Sequence, residues 1–395
     1  MSLKKIALGI LLVVIVAGFF AALMSVSAQI VASARPTNFD YYSFWIGSRA
    51  VLNGQSPYGE EIALSIQRAY FGDVLPPGEY QHNFPNPPYV AYLFFPLALL
   101  PFGKSLMIWL ALQIPIFIAT VLLAGYILDL RIKPLQYVLL TLVGSFFFMY
   151  PMISYARGQI SILLLFLFTL SAFFLMRGNV AIGGALLAVT SIRPDYFLAA
   201  IVIAIFLLRR STMIRNFIVS VTISLAVLTL SSMAFVGFWI PEWFFVVTNY
   251  SAGNPFTHWP PEFINNDIIR SLVILCVLVW GGWYVWKAFI HSRKEFDILA
   301  VSALILVFFT LNKQTGPYNL TLLLIPAFLL FAYMKDNPWR WSILILFVSP
   351  WIYRFQLPIE NILTEELVIP LEIMVFQQLF VAIRHSDRVL TKSPD

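Results

Sequence analysis

The sequence predicts an all-helical protein that crosses a membrane many times. Three observations predict it. Only 11% of its 395 residues are charged, against about 25% in a soluble domain. The mean hydropathy is +0.84. Apolar runs of spanning length recur along the chain, separated by turns rich in Lys, Arg, Asn and Pro, and a helix needs about 20 apolar residues to cross the hydrocarbon. The net charge of +6 does not read as nucleic-acid binding, because no basic cluster with interleaved aromatics lies on a polar face. The single cysteine, Cys276, allows neither an internal disulfide nor a zinc site.

The elements follow in order. Lys4 and Lys5 precede the first apolar run, residues 6–31, which reads as a retained helix rather than a cleaved leader. A long polar loop, residues 33–104, comes next. Within it, residues 60–70 suit an amphipathic surface helix, with Ile62, Ile66 and Ala69 on one side. Residues 89–100 are apolar but only a dozen long between prolines, so they read as an interfacial or re-entrant helix. Eleven further spans are expected at 105–130, 135–151, 160–176, 180–192, 196–208, 217–239, 268–290, 298–311, 318–333, 341–351 and 368–383. The fifth and sixth crossings are short, and Arg193-Pro194-Asp195 separates them: proline cannot continue the helical ladder, and two charges there are costly in lipid.

Twelve crossings satisfy the positive-inside rule. With the N-terminus cytoplasmic, 16 of the 25 Lys and Arg fall on inner segments, including Arg131, Lys133, Arg177, Arg209, Arg210, Arg215, Lys287, Arg293, Lys294, Lys335, Arg340 and Arg384. Counting residues 89–100 as a crossing would turn Arg209–Arg215 outward. The whole chain, residues 1–395, reads as one integral membrane domain in the plasma membrane.

This topology gathers the polar motifs on the outer face. They are the loop around Asp40, Tyr155–Gln159, Ser191–Asp195, residues 240–267, and Asn312–Tyr318. A carboxylate just beyond a span, on a face shared with cations, suits base chemistry on a lipid-linked substrate.

The ordered motifs resemble glycosyltransferase family 87, the polyprenol-phosphate-mannose-dependent α-mannosyltransferases of the GT-C membrane fold. They are Asp40-Tyr41-Tyr42, Gly54-Gln55-Ser56-Pro57-Tyr58, Pro87-Pro88-Tyr89 with Pro96-Leu97-Ala98, Gly158-Gln159-Ile160-Ser161, Arg193-Pro194 and Gly316-Pro317-Tyr318. Together they cover about residues 38–325. Two positions depart from the family pattern: Arg193 stands where Lys precedes the proline, which keeps a cation but changes its geometry, and Asn86 rather than Tyr precedes Pro87. The resemblance implies a GT-C-like fold with a large first extracytoplasmic loop. It implies a polyprenyl-phosphate sugar donor, a glycan or glycolipid hydroxyl of the cell envelope as acceptor, and inversion at the anomeric carbon. A carboxylate deprotonates the acceptor, and cations stabilise the leaving lipid phosphate.

Each candidate has a bland alternative. Asp40 is the expected general base, or else a helix N-cap. Arg157, Arg193 and Lys313 are expected at the donor phosphate, but Arg157 and Arg193 could equally snorkel to headgroups, and Arg193 could pair with Asp195. Tyr41, Gln159, His258, Gln314 and Tyr318 are expected at the substrate; Gln159 could instead cap a helix and His258 be structural. Glu60 and Glu61 read as solvated. No Asp-x-Asp pair occurs in the outer loops, so neither a metal nor another cofactor is expected. The sequons at Asn249 and Asn319 are chance-level matches. A secondary transporter or lipid flippase is the rival function, but no matching halves are visible and the charges gather at one face. A scaffold role leaves the polar motifs without a purpose.

Overall fold

The computed structural model describes residues 3–33, 39–74, 76, 83–253, 260–312, 316–356 and 365–390. Among them every regular element is helical. The α-helices run α1 (Leu3–Ser33), α2 (Tyr41–Leu52), α3 (Glu60–Phe71), α4 (Ala91–Ala98), α5 (Phe102–Ile127), α6 (Pro134–Leu142), α7 (Met149–Arg157), α8 (Ser161–Met176) and α9 (Val180–Val189). They continue with α10 (Pro194–Leu208), α11 (Ile214–Val236), α12 (Ile240–Gly253), α13 (Asp267–Ile290), α14 (Lys294–Leu311), α15 (Leu324–Tyr333), α16 (Ile345–Gln356) and α17 (Glu365–Leu390).

Four stretches of helix among the described residues are long and apolar enough to cross a membrane: Phe102–Ile127, Ile214–Val236, Asp267–Ile290 and Leu367–His385. The bent pair α6 and α7 makes a fifth if taken as one span. Several runs expected as single helices are broken. Residues 135–151 divide at a π turn, Val143–Phe147, with a 60° bend; π insertions are a recognised source of kinks. The bend leaves Phe147 O free to accept from Trp351 Nε1 at 2.6 Å. Residues 318–333 and 341–351 each begin as a 3-10 turn behind a proline, at Pro317–Leu323 and Pro338–Leu344, before α15 and α16. Between α9 and α10 the break falls at Arg193, with Pro194 opening the new helix. The helix α4 has 8 residues, about 12 Å of rise, well short of the roughly 30 Å hydrocarbon core.

The chain divides into two compact units. The first comprises Met1–Ile116, Tyr155–Gln159 and Ser231–Gly253. Its centre is aromatic. Tyr41 stacks on Trp109 at 5.8 Å and meets Phe94 edge-on at 5.7 Å. Phe84 lies against α2 over Gly47, where an added Cβ would come within 2.5 Å of its ring. Three contacts strap the Asn83–Pro88 loop and its neighbours. Tyr58 OH donates to Asn86 O at 2.8 Å, Trp243 Nε1 donates to Pro85 O at 3.0 Å, and Ser56 Oγ donates to Glu242 at 2.6 Å. Asn86, at the departure from the family pattern, is buried and anchors Tyr58 through its carbonyl.

The second unit comprises Phe117–Ser154, Ile160–Leu230 and Asn254–Asp395. Leu187, Ala188, Phe197, Ala204, Leu208, Phe217 and Val221 form a core across α9, α10 and α11. Glycines let helices approach: a Cβ at Gly281 would sit 2.5 Å from Val307. Polar contacts fall into two groups. In one, Arg209 meets Asp297 at 2.6 Å, Arg384 meets Glu295 at 2.6 Å, and Arg210 caps Ala288 O of α13. A cation at a helix C-terminus also opposes the negative end of its dipole. Arg340 donates to Leu130 O, and Lys335 faces Asp129 at 3.8 Å. In the other group, Arg193 meets Asp195, Asn312 donates to Asp195, and Ser161 donates to Asn319. Each contact joins segments that the charge rule assigns to one side.

Candidate active site

Asp40 stands at the first position before α2, but its carboxylate makes no capping bond and its backbone is already right-handed helical, with φ −61° and ψ −17°. A capping residue normally has extended backbone and bonds the second or third amide of its helix. Here Oδ2 accepts from Gln159 Nε2 at 2.6 Å and Oδ1 accepts from Tyr70 OH at 3.2 Å. Two side chains far apart in sequence therefore aim this carboxylate. Part of its surface stays open.

Gln159 reaches Asp40 because α7 ends sharply. Gly158 takes φ +65°, and a Cβ there would lie 2.9 Å from Tyr41 Cβ. Both the left-handed backbone and the close approach call for glycine. The Gly158 carbonyl accepts from Trp109 Nε1 at 2.8 Å, fixing the turn to α5. Gln159 itself is buried.

Burial pushes the Asp40 carboxyl above its ordinary value of 3.8. The Gln159 bond, the positive charge of Arg157 and the Tyr70 bond pull it back without cancelling the rise. Arg157 is exposed at the end of α7, and no ion pair holds it among the described residues. Such an arrangement can take a proton at Asp40 and present an exposed cation near it.

Tyr41 has no exposed surface; its ring is in the aromatic centre and its hydroxyl shares a 2.8 Å bond with Ser105 Oγ. No part of it is open to a ligand in this structure. Arg193 and Tyr318 lie in the second unit. The Arg193 Nε faces Asp195 Oδ1 at 3.5 Å, and the guanidinium lies 5.1 Å over the Tyr196 ring. Tyr318, half-buried at the start of its 3-10 turn, is an electrostatic neighbour of Arg193. Lys313, Gln314 and His258 lie outside the described residues. Among the described residues no three His, Cys, Asp or Glu side chains converge as metal ligands. The sequon at Asn319 is buried at 1% exposure.

Sequence reasoning missed Tyr70. It lies on the amphipathic helix α3, and no local pattern links it to a carboxylate 30 residues earlier.

The family model of glycosyltransferase family 87 matches residues 84–311. This chain belongs to glycosyltransferase family 87. It is a membrane glycosyltransferase, with a sugar donor and an acceptor as substrates and lipid as its environment. The matched stretch contains Arg157, Gln159, Arg193 and His258, while Asp40 precedes it. No curated protein and no solved structure matches the chain.

Proposed function

We propose that this family 87 member moves a hexose, mannose by family analogy, from a polyprenyl-phosphate sugar to a hydroxyl of a lipid-linked or cell-envelope glycan, with inversion and with Asp40 as general base. The observation that carries the reading is the Asp40 carboxylate. It is held by Gln159 and Tyr70 instead of capping α2, and Arg157 acts on it electrostatically.

The chemistry balances on these groups. The acceptor O–H gives its proton to an Asp40 oxygen as the acceptor oxygen attacks the anomeric carbon. The bond from that carbon to the phosphate oxygen breaks, and the lipid phosphate leaves with the electron pair. It requires cations rather than an acid, and arginine meets phosphate through paired donors. Arg157 is proposed for that role in the first unit. A raised carboxyl pKa makes Asp40 a stronger base near neutral pH. Within the second unit Arg193 and Lys313 are proposed phosphate contacts. Gln159, His258, Gln314 and Tyr318 are proposed substrate contacts, and Tyr41 acts through packing.

Twelve crossings, a cytoplasmic N-terminus and an extracytoplasmic site in the plasma membrane belong to the same proposal. The contact groups of the second unit support it, since they never join an expected inner segment to an outer one. One face of the short helices α9 and α10 packs in the core through Leu187, Ala188, Phe197 and Ala204, and the other presents apolar Ile182, Leu198 and Val202, which suits lipid.

The test is donor choice. Purified protein is offered a polyprenyl-phosphate mannose and, separately, a nucleotide sugar, with extracted envelope glycolipids as acceptor. Consumption of the lipid-linked donor, with the product anomer opposite to the donor's, supports the reading. Use of the nucleotide sugar alone, or retention of configuration, overturns it.

A further inference from the structure

Outside the motifs shared with the family, one hydroxyl reaches the base. Tyr70 sits in the last turn of α3, the surface helix whose Ile62 and Ile66 are buried. Its oxygen lies 3.2 Å from Asp40 Oδ1, 3.2 Å from Phe39 O and 3.5 Å from Ser43 Oγ, which donates to it. A phenol has one proton and can also accept. Gln159 approaches the other carboxylate oxygen through Nε2, an amide nitrogen that can only donate.

We infer that Tyr70 is a positioning residue for the base, holding the Asp40 carboxyl in one place through both of its protonation states. The inference rests on Asp40 being the base. While Asp40 is ionised, the Tyr70 proton points to Oδ1, because a charged acceptor outcompetes a neutral carbonyl. Once Oδ1 carries the proton taken from the acceptor, the phenol turns its own proton to Phe39 O. Its lone pair then accepts from the new carboxylic acid. Neither swing requires a heavy atom to move. Gln159 cannot reverse in this way without flipping its amide. Oδ1 is therefore the oxygen that takes the proton.

Donation to the charged form also favours ionisation, so Tyr70 opposes the effect of burial. Among the described residues, the one charged side chain acting on Asp40 is Arg157, the last residue of α7. Glu60, Glu61 and Arg68 share α3 with Tyr70 but exert no such influence.

The test measures kcat/KM against pH for lipid-donor consumption by the purified full-length protein. Tyr70→Phe keeps the ring and removes the hydroxyl. Its acid limb is expected to move up by about one pH unit, with kcat falling several-fold and detergent melting unchanged. Ser43→Ala, which leaves the Tyr70–Asp40 bond intact, is expected to match wild type. Replacing Tyr70 by 3-fluorotyrosine keeps nearly the same size with a more acidic hydroxyl, and is expected to lower the acid limb. That second variant reports even where Tyr70→Phe folds poorly. An unmoved acid limb in the folded Phe variant, or in the fluorinated one, overturns the role of Tyr70 while Asp40→Asn stays inactive. An active Asp40→Asn instead overturns the base assignment itself, and this inference with it.

Discussion

Replacing Arg193 separates a phosphate contact from a structural ion pair. Its Nε lies 3.5 Å from Asp195 Oδ1, and the two side chains are 17% and 22% exposed. Asp195 is also bonded by Asn312 Nδ2 at 3.2 Å, and the guanidinium covers Tyr196. Arg193→Gln removes the charge and leaves Asp195 with the Asn312 bond. Breaking a bond to a charged group costs about 1.5–3 kcal/mol, which appears as lower stability in either reading. Donor use divides them. If Arg193 also touches the donor phosphate, kcat/KM falls roughly 10- to 100-fold in Arg193→Gln. Asp195→Asn breaks the same pair but keeps the cation, and is expected to retain donor use within a few-fold. Melting in detergent and kcat/KM are measured for both single variants and the double. Normal kcat/KM in Arg193→Gln, with stability lost equally in both single variants, refutes the phosphate assignment and leaves the pair purely structural.

Three further outcomes follow from the same geometry. Single cysteines introduced at Arg210 and Ser292 are expected to react with a membrane-impermeant label only from the inner side, and one at Pro57 only from the outer side; labelling of positions 57 and 210 from one side contradicts the twelve-crossing topology. Gly158→Ala places a Cβ 2.9 Å from Tyr41 at a φ of +65°. It is expected to cost about 1–3 kcal/mol, read as a lower melting temperature together with weaker turnover, and unchanged melting removes the argument for a strained turn. The raised Asp40 carboxyl places the acid limb of the wild-type pH profile above the ordinary carboxylate value of 3.8, because the base form accumulates only as pH rises through the raised pKa. A limb below that value contradicts the burial argument.

Composition alone was enough to read an all-helical membrane chain, because a mean hydropathy of +0.84 leaves few alternatives. Asp40 stood out as a candidate because carboxylates are scarce and this one follows the first span, and the family resemblance favoured a base over a helix cap. Its actual partners were not visible. Gln159 lies 119 positions away and Tyr70 lies 30, and such contacts depend on how α3 and the Gly158 turn meet α2. The burial of Tyr41 was hidden for a comparable reason. Its neighbour Tyr42 is half-buried with its ring edge-on to Phe102, whereas Tyr41 faces inward onto Trp109; sequence shows the two tyrosines as equivalent. The broken helices were hidden as well. The π turn at Val143–Phe147 lies inside an unbroken apolar run, where hydropathy counts residues and is silent on hydrogen-bond register. The Arg193-Pro194 break could be read, because proline states the interruption locally.

The most direct test of the central claim is turnover of polyprenyl-phosphate mannose by Asp40→Asn. Asparagine has nearly the shape of aspartate, and its amide can satisfy both neighbours: the carbonyl accepts from Gln159 Nε2, and the amide nitrogen donates to the Tyr70 oxygen. It caps a helix about as well as aspartate, so the fold and donor binding are expected to persist. It cannot take a proton. Positioned base catalysis contributes about 10²- to 10⁴-fold, and kcat is expected to fall by that factor while donor affinity stays within a few-fold of wild type. Turnover near the wild-type rate would contradict the assignment of Asp40 as the base and move the search to Asp195.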